Sequence, residues 1–184
     1  MELGWRRDNV NEIGDADYFE MVLKKTCWLA TIYPLRVGAL IGTRGVADPE
    51  PFVRFGFFLG AAFQIQDDLL NLMADSRYGK ELNGDLWEGK RTLMLIHALR
   101  AAAPDERERL CEILRGAREQ RKPEQVCWMR ELIDKYQCME YARRIGHGLA
   151  GAAMHEFSLL SAGLPDSPDK SFLEQMATWV IQRN

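Results

Sequence analysis

Residues 63–92 have the sequence FQIQDDLLNLMADSRYGKELNGDLWEGKRT, which begins inside a long apolar run over residues 52–73. The run is predicted to be a helix with almost no water-facing side. Its polar residues recur at i, i+3, i+4 and i+7, a spacing that places them on one stripe of a helix. They are Gln64, Asp67, Asp68 and Asn71. Two carboxylates on an apolar helix are costly to bury unless a positive charge meets them, so the stripe predicts a cation site.

Three lysines accompany this acidic stripe. Lys80 and Lys90 follow glycines just downstream of it, and Lys25 lies in an earlier apolar segment. Carboxylates for a hard cation and lysines for its anion indicate a metal-diphosphate site, because Mg²⁺ combines few protein carboxylates with waters and phosphate oxygens. The alternatives are a surface aspartate pair, a helix lysine whose stem reaches to solvent, and exposed loop lysines. The apolar neighbours of Asp67 and Asp68 argue against a solvated pair.

The composition is ordinary for a soluble protein. The 184 residues, with a mass of 21.1 kDa, fit a single domain over residues 1–184 that can bury a substantial core. Hydrophobic residues make up 47% of the chain and charged residues 28%. The net charge of −3 argues against general nucleic-acid binding, which needs a basic face. It does not exclude a small anionic ligand, since a few lysines in one cleft can dominate the local field.

The cysteines and the apolar runs predict a cytoplasmic protein. Four cysteines, without CxxC or other zinc spacing, are predicted to be reduced thiols in the core or near the surface. The first residues lack the apolar stretch of a signal peptide. No membrane span is predicted, because Pro34 and Gly38 interrupt the first apolar run and the polar stripe interrupts the second. The histidines lack metal or catalytic spacing and are assigned to the core or the surface.

Two apolar helices are predicted before the end of the acidic stripe. Residues 18–41 have a helical pattern that is apolar nearly all round, which predicts burial on both sides and a kink at Pro34. Asp48 and Pro49 are predicted to start the second helix. Residues 75–89 form the longest stretch without periodicity, and a loop of this length is often functional.

Amphipathic helices follow that loop. They are predicted over residues 92–102, from Pro104, over residues 123–137, over residues 139–162 and from Pro168, the last capped by Ser167. The predicted inner face of the helix over residues 123–137 consists of Val126, Met129, Leu132 and Ile133. Without a convincing strand, the fold class is all-α. The amphipathic helices suit one outer layer, so part of the surface of the two early apolar helices is expected to be uncovered. The helices that would cover it would come from another chain or from residues absent here.

Three motifs carry a resemblance to a known family. They are KTCWLATIYPLRVGALIG over residues 25–42, FQIQDDLLNL over residues 63–72 and GKELNGDLWEGKRTL over residues 79–93. In this order they resemble the C-terminal half of trans-isoprenyl diphosphate synthases, the polyprenyl synthetase family. The segment DLWEGKRTLMLIHAL is most similar to bacterial geranylgeranyl diphosphate synthases. The resemblance implies an antiparallel helical bundle of the isoprenoid synthase type around a deep cavity, here without its N-terminal helices.

The resemblance implies a metal role for the acidic stripe. Asp67 and Asp68 correspond to the second aspartate-rich motif, which binds Mg²⁺ that bridges to an allylic diphosphate. Asn71 occupies the last position of that DDxxD pattern, where a neutral amide is a weaker magnesium ligand than a carboxylate.

The resemblance also implies roles at the diphosphate. Lys25 and Lys80 match lysines that hold the allylic diphosphate. Lys90 matches a lysine that helps to close the loop over the diphosphates. Thr26 and Gln64 match a polar pair near the reacting carbon, where oxygen dipoles stabilise the developing carbocation.

The reaction implied by the resemblance is a prenyl transfer. An allylic prenyl diphosphate ionises with the assistance of Mg²⁺, the double bond of isopentenyl diphosphate attacks, and a proton is lost to give a longer prenyl diphosphate. The first aspartate-rich motif of the family, the arginines after it and the basic residues that grip isopentenyl diphosphate are not found in this sequence. The chain alone is therefore not expected to elongate a prenyl chain.

Three hypotheses follow from this incomplete match. The chain is an enzyme half that works with a chain carrying the first aspartate-rich motif, in a homo- or hetero-oligomer, or a fragment of a longer synthase. Alternatively, it is a non-catalytic regulatory subunit that binds an active synthase, although the retained Asp67, Asp68, Lys25 and Lys80 argue against that. The third hypothesis is a terpene cyclase relative, which the FQIQDD and EGKRT segments disfavour.

Overall fold

The computed structural model of the protein describes residues 12–73 and 82–183. Within these two ranges every regular element is helical and no strand occurs, which confirms the all-α prediction. The elements are α1 (Asp15–Val22), a π-helix (Leu23–Ile32), α2 (Tyr33–Gly42), α3 (Phe52–Met73), α4 (Gly84–Glu88), α5 (Leu93–Ala101), α6 (Pro104–Arg115), a 3₁₀ turn (Arg118–Gln120), α7 (Pro123–Lys135), α8 (Cys138–Ser161) and α9 (Pro168–Gln182).

The chain divides into two compact units. The described residues of the first unit are 12–21, 67–73 and 82–143, and those of the second are 22–66 and 144–183. Helices α1, α3 and α8 contribute residues to both units. The single domain expected from chain length therefore stays a prediction.

The first unit has a core built from the amphipathic helices α5, α6 and α7. Thr92 caps α5 by accepting a hydrogen bond from the amide of Leu95, and the residues that follow it are almost continuously buried. The predicted inner face of α7 is confirmed, because all four of its residues are buried: Val126, Met129, Leu132 and Ile133. The periodicity of this helix thus identified its packing surface correctly.

The second unit has a core in which α3 packs with α8 and α9. Its buried residues are Phe55, Leu59 and Ala62 of α3, Ala150, Ala153 and Phe157 of α8, and Ala177 and Val180 of α9. Small residues dominate the α8 and α9 contributions, so these helices can approach α3 closely. Ser167 accepts a hydrogen bond from the amide of Lys170 and caps α9, as predicted.

The helix predicted over residues 18–41 differs from the observed one in its winding. The chain is α-helical through Val22, π-helical over Leu23–Ile32 and α-helical again from Tyr33. Pro34 therefore lies in the first turn of a new helix, where its missing amide proton is tolerated. A π-helix closes i→i+5 hydrogen bonds and is often associated with functional sites.

Part of this helical run is uncovered. Burial on both sides is wrong for α2, which has no buried residue, and Leu29, Tyr33 and Ile41 are 77%, 63% and 74% exposed. Among the described residues, part of the early apolar surface is therefore exposed, as expected. What covers it stays a prediction.

Two element boundaries also differ from the predictions. Helix α3 begins at Phe52 rather than at Pro49, because the residue before Pro51 is disfavoured in a helical conformation. Asp48 instead accepts a hydrogen bond from the amide of Glu50 at 3.0 Å in a turn. The loop predicted over residues 75–89 contains the short helix α4, flanked by Asn83 and Gly89 at positive φ angles of 57° and 67°.

All four cysteines, which lie in the described residues, are free thiols, as predicted. Burial raises the pKa of Cys27 and of Cys138 to about 12, so both remain protonated at neutral pH. In the described part of the chain, no helix has the length and apolar character needed to span a bilayer.

Candidate functional site

The paired carboxylates lie near the C-terminal end of α3, in the first unit. Asp68 is only 7% exposed, and its Oδ2 accepts a hydrogen bond of 2.8 Å from the hydroxyl of Tyr18, which is 1% exposed. Asp67, the residue before it in α3, is half-buried. The sequence pattern predicted these carboxylates on an apolar helix, but it did not identify the tyrosine that contacts one of them.

The donor set of this pair fits Mg²⁺. This ion commonly takes one or two protein carboxylates and keeps waters and phosphate oxygens as its other ligands. Among residues 12–73 and 82–183, no group of three His, Cys, Asp or Glu side chains forms a potential metal cage. Two adjacent carboxylates match the small number of oxygen ligands that such a hydrated cation takes from a protein.

Asn71 has a structural partner instead of an evident metal role. Its Oδ1 accepts a hydrogen bond of 3.0 Å from the amide of Asp85, and its carbonyl oxygen accepts one of 3.3 Å from the amide of Asn83. Asn71 thus attaches the beginning of α4 to α3. The amide side chain that replaces the last aspartate of the expected motif is well suited to this contact, because its oxygen accepts a hydrogen bond without adding a charge.

Replacing Asn71 with alanine should separate these two roles. We expect a loss of about 1 kcal/mol in the free energy of unfolding, because the amide of Asp85 loses its acceptor. We also expect the dissociation constant for Mn²⁺, used as a spectroscopic substitute for Mg²⁺, to remain at the wild-type value. Urea denaturation and electron paramagnetic resonance measure the two quantities. A loss of Mn²⁺ binding would identify Asn71 as a metal ligand after all.

Lys90 is held by acidic residues of its own loop. Its Nζ lies 2.5 Å from Oδ1 of Asp85, which is buried, and 3.3 Å from Oε2 of Glu88. Burial lowers the pKa of Lys90, but the hydrogen bonds and charges of Asp85 and Glu88 outweigh it, so the pKa lies above its ordinary value. The lysine is therefore a cation at every physiological pH. Asp85, which sequence analysis did not single out, supplies the counter-charge.

A buried arginine fixes the backbone of the same loop. Arg121 donates hydrogen bonds to the carbonyl oxygens of Leu86 at 3.1 Å, Ile113 at 3.2 Å and Gly116 at 3.1 Å, and a further one to that of Trp87. Gly89 faces this guanidinium, and a Cβ at that position would lie 3.0 Å from an Arg121 nitrogen. Arg121 connects segments distant in sequence, and no local pattern in the sequence indicates this role.

Thr26 and Gln64 meet in the second unit. The Thr26 hydroxyl, on the π-helix, donates a hydrogen bond of 2.7 Å to Oε1 of Gln64 on α3. The structure thus brings together the two residues that the resemblance paired. Lys25, adjacent to Thr26, is exposed. Lys80 belongs to residues 74–81 and lies outside the described residues.

The residue after α9 forms hydrogen bonds with α3 on both sides of Gln64. Arg183 donates a hydrogen bond of 2.9 Å to the carbonyl oxygen of Phe63, and its guanidinium lies 3.9 Å from the centre of the Phe63 ring. Gln66 in turn donates a hydrogen bond of 2.8 Å to the carbonyl oxygen of Arg183. This clamp was not predicted, because its partners are more than a hundred residues apart in the chain.

Comparison with known proteins gives consistent results. A family model described as polyprenyl synthetase matches residues 1–133. The chain is 30% identical over 173 residues to the short chain isoprenyl diphosphate synthase of Methanothermobacter thermautotrophicus, covering 94% of this chain and 50% of that protein. It is 31% identical over 173 residues to the geranylgeranyl diphosphate synthase of Sulfolobus acidocaldarius, covering 94% and 51%.

A solved structure shares the fold. The polyprenyl synthase of Caulobacter crescentus, complexed with calcium and isoprenyl diphosphate, superposes with a TM-score of 0.82 at 26% identity, covering 99% of this chain and 54% of that one. The chain therefore spans about half the length of the relatives that it matches.

Proposed function

Because this chain belongs to the polyprenyl synthetase family, we propose that it supplies part of the active site of a trans-prenyltransferase. The reaction joins an allylic prenyl diphosphate to isopentenyl diphosphate: the allylic carbon–oxygen bond breaks, a carbon–carbon bond forms to the isopentenyl double bond, and a proton leaves. The products are inorganic diphosphate and a prenyl diphosphate that is longer by one isoprene unit.

The observation that carries this proposal is the carboxylate pair of Asp67 and Asp68 within the apolar helix α3. These residues would hold Mg²⁺, which when bound neutralises charge on the departing diphosphate. Mg²⁺ commonly takes one or two protein carboxylates and fills its other positions with waters and phosphate oxygens, and this pair supplies such carboxylates.

The remaining residues act on the diphosphate and on the allylic carbon. We assign Lys25, Lys80 and Lys90 to the diphosphates, since an ammonium group stabilises the charge that develops as the leaving group departs. Lys90 keeps its positive charge through its ion pair with Asp85. Thr26 and Gln64 present oxygen dipoles to the developing carbocation, and their mutual hydrogen bond restricts both side chains to one arrangement.

We further propose that the first aspartate-rich motif is supplied either by a second chain or by the N-terminal half of a longer synthase. Supporting observations are that this chain spans about half the length of its relatives, and that large apolar side chains are exposed on its early helices. They are Trp28, Leu29, Tyr33, Leu40 and Ile41. Exposed apolar surface of this kind commonly marks a protein interface. The free state of all four cysteines agrees with a reducing compartment, and we place the assembly in the cytoplasm.

Co-expression tests this function. The chain is purified alone and together with a chain that carries the missing motif, and each sample is supplied with an allylic diphosphate, radiolabelled isopentenyl diphosphate and Mg²⁺. We expect labelled, extended prenyl diphosphate only from the sample in which the two chains are purified together. If the chain instead binds an intact synthase and changes its turnover, and if Asp67→Ala does not alter that effect, the protein is a regulatory subunit. The family match does not favour a terpene cyclase.

A further inference from the structure

Tyr18 is one of the most deeply buried polar side chains in the first unit. Its side chain is 1% exposed, and its ring packs edge-on against Phe19 with the ring centres 5.5 Å apart. The hydroxyl donates a hydrogen bond to Oδ2 of Asp68, which lies on a helix fifty residues further along the chain. A hydroxyl at this depth loses its hydrogen bonds to water, so its partner in the protein matters energetically.

We propose that Tyr18 is a positioning residue that orients the Asp68 carboxylate for a divalent cation. The inference rests on the proposed function, in which Asp67 and Asp68 hold the metal. Because both oxygens of a carboxylate are attached to one carbon, the bond from Tyr18 to Oδ2 fixes the direction of Oδ1 as well. Tyr18 thereby sets which oxygen of Asp68 is presented to the cation, and in which direction.

Two further observations support this role. The hydrogen bond is 2.8 Å long and both partners are buried, so water cannot readily replace the phenol as a donor. Asp67 is less buried than Asp68, so the pair presents one buried carboxylate and one more accessible carboxylate. Groups that hydrogen-bond to metal ligands typically change metal affinity by about 10–100-fold when they are removed.

A purely structural tyrosine would behave differently, and the chain offers a matched control. Tyr141 is also in the first unit, and its hydroxyl donates a hydrogen bond to Oδ2 of Asp15. The Asp15 carboxylate is not assigned to the metal. Tyr18→Phe and Tyr141→Phe each remove one phenol–carboxylate hydrogen bond. Only the first removes a bond to a proposed metal ligand.

The experiment measures Mn²⁺ binding to the purified full chain by the electron paramagnetic resonance signal of the free ion. Mn²⁺ prefers the same oxygen ligands as Mg²⁺. We expect Tyr18→Phe to raise the Mn²⁺ dissociation constant by about 10-fold or more. We expect Tyr141→Phe to keep the wild-type constant, although thermal denaturation without metal should show a loss of stability for both variants. Wild-type or tighter Mn²⁺ binding by Tyr18→Phe would overturn the inference.

Asp67→Asn and Asp68→Asn separate this inference from the function on which it rests. If neither substitution weakens Mn²⁺ binding, the metal assignment itself is wrong. If both weaken it and Tyr18→Phe does not, the metal site stands and only the role of Tyr18 is wrong. Should Tyr18→Phe fail to fold, the wild type labelled with 3-fluorotyrosine replaces it. The ¹⁹F resonance of Tyr18, identified from single variants of the other tyrosines, must shift on addition of Mg²⁺, and an unchanged resonance refutes the inference.

Discussion

Asp67→Ala should lower the rate of prenyl diphosphate formation by the co-expressed pair by a factor on the order of 10²–10³ or more. The reason is electrostatic: the rate depends on stabilising the negative charge that appears on the diphosphate as the allylic bond breaks. Asp67 is proposed to hold the ion that supplies this stabilisation, so the variant removes one of the ion's carboxylate ligands. The measurement is the initial rate of label transfer at saturating substrates.

The control for this prediction is Asp134→Ala. Asp134 is an exposed aspartate of α7 in the first unit, and it forms a surface ion pair with Arg130 at 3.1 Å. Such pairs contribute little to stability, so the variant should fold and turn over substrate like the wild type. Asp67→Ala with wild-type turnover would remove the metal assignment, whereas an equal loss in both variants would point to a general loss of folding.

Gly56→Ala should destabilise the second unit by about 2–3 kcal/mol. A Cβ built on Gly56 lies 2.8 Å from Cγ1 of Ile32 and 2.9 Å from its Cα, and the backbone atom cannot move without shifting the end of the π-helix. Thr31 also donates its hydroxyl proton to the carbonyl oxygen of Gly56 at 2.5 Å, so the same displacement strains a second contact. Urea denaturation followed by circular dichroism measures the change in the free energy of unfolding.

Gly151→Ala is the matched substitution. Gly151 also lies within a helix of the second unit, α8, but a Cβ there has no atom within 4 Å. Alanine loses less conformational entropy than glycine in a helix, so this variant should be more stable than the wild type by roughly 0.5–1 kcal/mol. Changes of opposite sign in the free energy of unfolding of the two variants would support close contact between α3 and the π-helix. A stabilising Gly56→Ala would contradict it.

The elements that sequence analysis predicted correctly depend on local patterns. The four buried positions of α7 follow the helical period, and Ser167 is a cap defined by the residues next to it. The acidic pair on α3 was recognisable because charge is unusual on an apolar helix.

The features that it missed depend on contacts between distant segments. The phenol of Tyr18 at Asp68, the guanidinium of Arg121 on the carbonyl oxygens of Leu86 and Trp87, and the clamp of Arg183 at Phe63 each join residues at least 34 positions apart. None of these residues has neighbours that distinguish it from an ordinary core tyrosine or surface arginine. Only the folded backbone brings the partners together.

The π-helix Leu23–Ile32 has a consequence for how this chain is aligned and engineered. Its wider winding changes the angular step between successive residues, so residues 23–32 do not lie on the faces that an α-helix would give them. An alignment or a design that assumes unbroken α-helical geometry from Asp15 to Gly42 would rotate Lys25 and Thr26 to the wrong faces.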